Sequence, residues 1–140
     1  MRILLAIDGS VSSDRAAELV ASLPLPPASL VRLVAVHHGH AVILPHSLTT
    51  EGRDANGPET SDETDARHRR EAIERCERLL ERPGLTIEGF VLQGRAASAI
   101  MDEAGAMEAD LIVVGSRGHG TMATMLLGST AAEVAVQSSS

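Results

Sequence analysis

Leu111-Ile-Val-Val-Gly115-Ser-Arg-Gly118-His-Gly-Thr-Met-Ala-Thr-Met-Leu-Leu-Gly128-Ser129-Thr130 sets a wholly apolar run directly against a glycine-punctuated stretch of the pattern G-x2-G-x9-G-S. Four consecutive branched or aliphatic residues read as a strand buried on both faces, the signature of a parallel sheet. The glycines after it allow close backbone approach and positive φ. Successive main-chain N–H groups in such a loop can form an anion-binding nest, strengthened by the positive end of a following helix. Thr130-Ala-Ala-Glu133 has the form of a capping box and predicts that helix start.

Working outward, Ile3 to Ile7 is a second apolar run, ended by Asp8-Gly9-Ser10. It predicts the first strand. Ser12, Ser13 and Asp14 offer N-cap oxygens to a helix whose Ala16, Ala17, Leu19, Val20 and Leu23 recur at helical spacing until Pro24. Leu30 to Val36, interrupted only by Arg32, predicts the second strand, and His37-His38-Gly39-His40 follows it. Residues 39–62 are rich in Gly, Pro, Thr and Asn and are expected to be a flexible loop or lid. Residues 63–81 are highly charged, yet Ala66, Ile73, Cys76, Leu79 and Leu80 fall on one stripe, and Glu71 sits four residues before Arg75. That is the second helix, with Pro83-Gly84 as its stop. Residues 86–92 predict a third strand, 97–107 a third helix, and the fourth helix begins near Ser129.

This alternation predicts a single domain over 1–140 with a three-layer α/β/α, Rossmann-like architecture: an open parallel sheet joined by right-handed crossovers and covered on both faces. Ligands of such sheets bind beyond the carboxyl ends of the strands. Asp8, His37, Gly94 and Gly115 all lie there.

Composition narrows the chemistry. The chain has 140 residues, a net charge of -7, one aromatic residue (Phe90) and one cysteine (Cys76). The charge opposes nonspecific binding of nucleic acid or an anionic membrane, and no stretch has membrane-spanning length, so neither nucleic acid nor membrane insertion is expected. Every cationic residue is arginine, which excludes Schiff-base chemistry and a Walker-type lysine. A lone cysteine excludes an intrachain disulfide, and the short apolar stretch after Met1-Arg2 is unlike a signal peptide; a cytoplasmic setting is expected.

Phosphate neutralisation then falls to backbone dipoles, a Mg²⁺ ion and Arg117, with Ser129 able to donate its hydroxyl to a phosphate oxygen or to reach the metal. Against this stands the reading of a plain loop between strand and helix. Asp8 is either a nucleotide contact or a turn former that begins the first helix. His37, His38 and His40 could ligate a metal, but neighbours on a strand point to opposite sides and no further ligand completes a set; a polar rim is the alternative. His119 has the chemistry of a general base without an identifiable partner. Cys76 reads as core, and Met122 to Leu127 as loop-to-helix packing.

Ile3-Leu-Leu-Ala-Ile-Asp-Gly-Ser10 and Ala109-Asp-Leu-Ile-Val-Val-Gly-Ser-Arg-Gly118, together with the full glycine pattern, resemble the universal stress protein family, specifically its ATP-binding branch. The resemblance spans nearly the whole chain. It implies strand order 3-2-1-4-5 and ATP held with Mg²⁺, with Gly115, Gly118, Gly128, Ser129 and Thr130 cradling ribose and phosphates. It further implies that Asp8 contacts the nucleoside and that Ala6 and Val36 border the adenine. Family members commonly continue into a fifth strand that builds a dimer, whereas Ser140 ends this sequence before it. The strand-4 edge is therefore expected to be covered by a second copy or a partner domain, unless the sequence is a fragment. The function so implied is nucleotide-dependent regulation in a stress response, with ATP hydrolysis weak or incidental. An ATP-independent interaction module and an enzyme transferring adenylyl or phosphoryl groups are the alternatives.

Overall fold

A computed structural model describes residues 1–37, 61–116 and 129–138, the side chains of Ser61, Asp62 and Ser129 excepted. In chain order the elements are β1 (Arg2–Ala6), α1 (Val11–Ser22), β2 (Ser29–His37), α2 (Ser61–Leu80), β3 (Leu85–Gln93), α3 (Ala96–Ala106), β4 (Leu111–Val114) and α4 (Ser129–Ser138). The strands form one parallel sheet of order β3-β2-β1-β4. Its register sets Ala6 level with Val34 on one side and Val114 on the other. The expected architecture and the order 3-2-1-4 are therefore observed. The predicted loop over 39–62 falls mostly outside the described residues, although α2 already begins at Ser61.

Strand pleating sorts the apolar residues by parity. Ile3, Leu5, Ile7, Val31, Leu33 and Ala35 face Ala16, Ala17 and Val20 of α1 and Ile73, Cys76 and Leu80 of α2. Leu4, Val34 and Val36 face Ala97, Ile100 and Ala104 of α3, with Met107 and with Val134 of α4. With almost no aromatics, close approach must replace bulk. Gly89 shows it: a Cβ there would lie 2.5 Å from Ile73 Cγ2 and 2.6 Å from Glu77 Oε1 of α2.

Local chemistry fixes the helix ends differently from the sequence reading. The cap of α1 is Ser10, not Ser12, Ser13 or Asp14: its hydroxyl accepts from the Ser13 N–H at 3.2 Å. Arg82 closes the other end of α1 by donating to the carbonyls of Ala21 and Leu23. In α2, Leu79 is exposed rather than part of the stripe, because Ala72 joins Ile73, Cys76 and Leu80 on the buried face. Arg75 leaves Glu71 for Asp14 of α1 at 2.9 Å, and Glu71 takes Arg67 instead, at 3.8 Å. Arg32, the one charge within β2, is accommodated by Glu88 on the adjacent strand and Glu103 on α3, both at 2.6 Å, with its guanidinium over the Phe90 ring.

Candidate functional site at the carboxyl ends of the strands

The chain leaves β1 toward β2 on one side and returns to place β4 on the other, so the topological switch point lies between β1 and β4. Two turns meet there. After β1, the Asp8 carboxylate accepts the Ser10 N–H at 2.9 Å while Gly9 adopts φ 82°, reversing the chain so that Ser10 can cap α1. Asp8 is thus a turn former, as one of the two readings of the sequence has it.

After β4, Gly115 lies against the first turn of α1. A Cβ at this position would sit 3.0 Å from Ser12 C and from Ser13 N, both main-chain atoms that cannot swing aside. Gly115 does not have positive φ; its glycine is required by the approach of α1. The next residue continues the contact, Ser116 Oγ lying 3.3 Å from Ser12 Oγ. The glycine-rich segment therefore starts on the N-terminus of α1, where the helix dipole and hydroxyl groups favour an anion.

Of the other predicted residues, Ala6 ends β1, half-buried against the α3 side of the core, and Val36 is buried in that same cluster near the end of β2. Thr130 is half-buried within α4, one residue past its start, so it is not the N-cap. Glu133 does not complete a capping box either: its Oε1 receives Arg95 of the α3 cap at 2.5 Å and Gln137 at 3.3 Å. Backbone at Ser129 opens α4. Arg117, Gly118, Gly128, His38, His40, His119 and Met122 to Leu127 lie outside the described residues. The structure thus brings Asp8, Gly115, Ala6 and Val36 to one end of the sheet.

The sequence did not reveal what His37 does. Its imidazole is 2% exposed at the end of β2, and its Nδ1 lies 2.7 Å from Asp65 Oδ2 on α2. Arg69 donates to the same oxygen at 3.1 Å. Burial alone would raise Asp65, but the hydrogen bonds from His37 and Arg69 and the Arg69 charge outweigh it, holding the carboxyl below its ordinary value. Only the i,i+4 spacing of Asp65 and Arg69 hinted at this group. Among the described residues, no three His, Cys, Asp or Glu side chains form a metal cluster. Cys76 is core as expected, burial foremost pushing its thiol up to about 11.

The donor set suits a phosphorylated nucleoside better than a metal alone: a carboxylate beside a tight turn, hydroxyls at a helix N-terminus, and small apolar residues at two strand ends. Mg²⁺ retains waters and phosphate oxygens, so a nucleotide-borne ion needs no protein cage.

Comparison with known proteins gives this geometry relatives. The family model described as "Universal stress protein family" matches residues 1–140. A curated Thermus aquaticus protein, the universal stress protein in the QAH/OAS sulfhydrylase 3' region, is 30% identical over 135 residues, covering 96% of this chain and 90% of the relative. Among solved structures, hypothetical protein MJ0577 superposes with a TM-score of 0.73 at 20% identity, over 97% of this chain and 88% of the other. A universal stress protein in complex with cAMP gives 0.61 at 24% identity, over 98% and 89%.

Proposed function

The chain belongs to the universal stress protein family, and from that premise we propose that it is an ATP-binding member whose nucleotide occupancy governs a partner-binding surface in a stress response. The single observation that carries the reading is the seating of the glycine-rich segment: it leaves β4 at the switch point and starts on the α1 N-terminus beside the Asp8 turn. A ligand bound across that junction would bridge two loops and a helix end, so binding would alter how they are held.

In this reading Asp8 receives the nucleoside hydroxyls, Ala6 and Val36 border the adenine, and Gly115, Gly118, Gly128, Ser129 and Thr130 line the ribose and phosphates. In this lysine-free chain Arg117 supplies cationic charge to the phosphates. Mg²⁺, when bound, would neutralise phosphate charge, and Ser129 would offer it a hydroxyl. A structural relative has been solved with cAMP, so a cyclic nucleotide is a fair competitor in any test. The same reading includes a cytoplasmic setting and a second copy or partner domain over the outer edge of β4.

The direct test is mass spectrometry of small molecules released by denaturing freshly purified protein, followed by calorimetry with Mg-ATP, AMP and cAMP. An adenine nucleotide should copurify, and Gly118→Val should abolish ATP affinity with the circular dichroism spectrum unchanged. Wild-type protein that neither carries nor binds any of the three would overturn the assignment.

A further inference from the structure

Ser10, Ser12 and Ser13 crowd the start of α1, and two of them serve the helix itself. Ser10 Oγ accepts the Ser13 N–H at 3.2 Å, and the buried Ser13 hydroxyl donates to the Ser10 carbonyl at 2.9 Å. Ser12 is different. Its Oγ lies 3.3 Å from Ser116 Oγ, on the second residue after β4, and would lie 3.1 Å from a Cβ at Gly115. Capping accounts for Ser10 and Ser13 but not for a hydroxyl at Ser12.

The contact answers a problem that Gly115 creates. The main chain of α1 leaves no room for a Cβ there, so the position takes the residue with the greatest backbone freedom. That freedom falls where the chain leaves the sheet. Before the glycine, Val114 is held level with Ala6 in the β1–β4 register. After it, Ser116 is held by its hydrogen bond to Ser12. The direction of departure from β4 is thus set from both sides of the glycine, by the sheet and by α1.

We propose that Ser12 is a positioning residue of the nucleotide site: touching no ligand itself, it holds Ser116 so that the glycine-rich segment leaves β4 in the direction that phosphate binding needs. The inference rests on the nucleotide reading above and names the α1 side chain that preorganises the phosphate-lining segment. A segment fixed before the ligand arrives loses less conformational freedom on binding, and affinity rises accordingly. The effect belongs to the phosphates. In the same reading the base and the nucleoside hydroxyls meet Ala6, Val36 and Asp8, which lie on β1, on β2 and in the turn after β1.

The experiment is a double-mutant cycle read by calorimetry with Mg-ATP and with adenosine. Ser12→Ala and Ser116→Ala should each lower Mg-ATP affinity roughly three- to tenfold, the loss of one neutral hydrogen bond. Combining them should lower it no further, because each removes the same bond. Adenosine affinity should stay within about twofold of wild type in all three variants. If adenosine binds too weakly to titrate, the cycle decides alone. Ser116 is exposed, so Ser116→Ala carries the comparison of the two ligands even if Ser12→Ala fails to fold. Unchanged Mg-ATP affinity in the single variants, losses that multiply in the double variant, or an equal loss for adenosine overturns the role of Ser12 while leaving nucleotide binding intact. Wild-type protein that binds neither ligand overturns the underlying reading, and this inference with it.

Discussion

Strand β1 carries Ile3, Leu4 and Leu5 with no measurable exposure, whereas every residue of its neighbour β4, Leu111–Val114, is only half-buried. Their sequences are almost interchangeable in hydrophobicity. Their surroundings are not: β1 has strands on both edges and helices over both faces, while β4 pairs, among the described residues, with β1 alone. What β4 lacks along its length it gains at its ends. At the amino end, the Arg2 N–H donates to Asp110 Oδ2 at 2.7 Å, the Asp110 N–H donates to the Arg2 carbonyl at 2.8 Å, and Arg2 reaches Glu108 and the Met107 carbonyl. At the carboxyl end, Gly115 and Ser116 press onto α1. One strand is held by burial, the other by clamps. Because the carboxyl-end clamp is also the floor of the candidate site, ligand binding and the seating of β4 draw on the same contacts.

The largest effect should come from the strand held by burial. Leu5→Ala removes a fully buried side chain from the α1–α2 side of the core and should cost about 3 kcal/mol in urea unfolding. Gly115→Val comes next. Its Cβ meets main-chain atoms at 3.0 Å, so the loop must lift from α1, at a cost of about 2 kcal/mol. The same substitution should weaken Mg-ATP binding, whereas Leu5→Ala should leave the affinity of the folded fraction unchanged. If both variants lose stability and affinity in equal proportion, the separation of burial from clamping fails.

Val113→Ala puts the comparison to its most direct test, since Val113 aligns with Leu5 in the sheet and packs on the same cluster. Truncating a half-buried side chain should cost about 1 kcal/mol. A loss near that of Leu5→Ala would mean that β4 is buried by something beyond the described residues, and the distinction between the strands would collapse.

The comparison also marks what a sequence can disclose. Strands, helices and their alternation were legible because apolar runs and helical stripes are local, and that alternation implies a parallel sheet covered on both faces; the order 3-2-1-4 is implied by the family resemblance alone. Burial along β4 was not legible: Leu-Ile-Val-Val has the same composition whether it lies inside a sheet or at its edge. Side-chain partners chosen across elements were hidden for a similar reason. Arg75 had Glu71 at helical spacing, but Asp14 on α1 is reachable only once α1 and α2 pack together. Ser10 does not stand out as the cap in the sequence because three later residues offer equivalent oxygens, and the Asp8 turn decides among them. His37 and Asp65, separated by 28 positions, meet only in the folded sheet. Gly115 is legible as a position needing glycine from the pattern around it, but the approach of α1 that requires it is visible only in the fold.

The smallest expected effect examines the amino-end clamp of β4. Glu108 adopts φ 52°, a left-handed conformation that costs a residue with a Cβ on the order of 1 kcal/mol relative to glycine. Its carboxylate pairs with Arg2 at 2.6 Å, but the two side chains are 80% and 50% exposed, so the pair is worth less than about 1 kcal/mol. Glu108→Gly relieves the first and forfeits the second. The net change in unfolding free energy should lie within about 0.5 kcal/mol of zero, and added salt should narrow the difference between variant and wild type only slightly. Near-neutrality would assign the clamp to the paired backbone and carboxylate bonds between Arg2 and Asp110, which the substitution leaves in place. A loss above about 1 kcal/mol would instead make the Arg2–Glu108 pair the fastening, since only a strongly coupled pair could outweigh the relief of the turn.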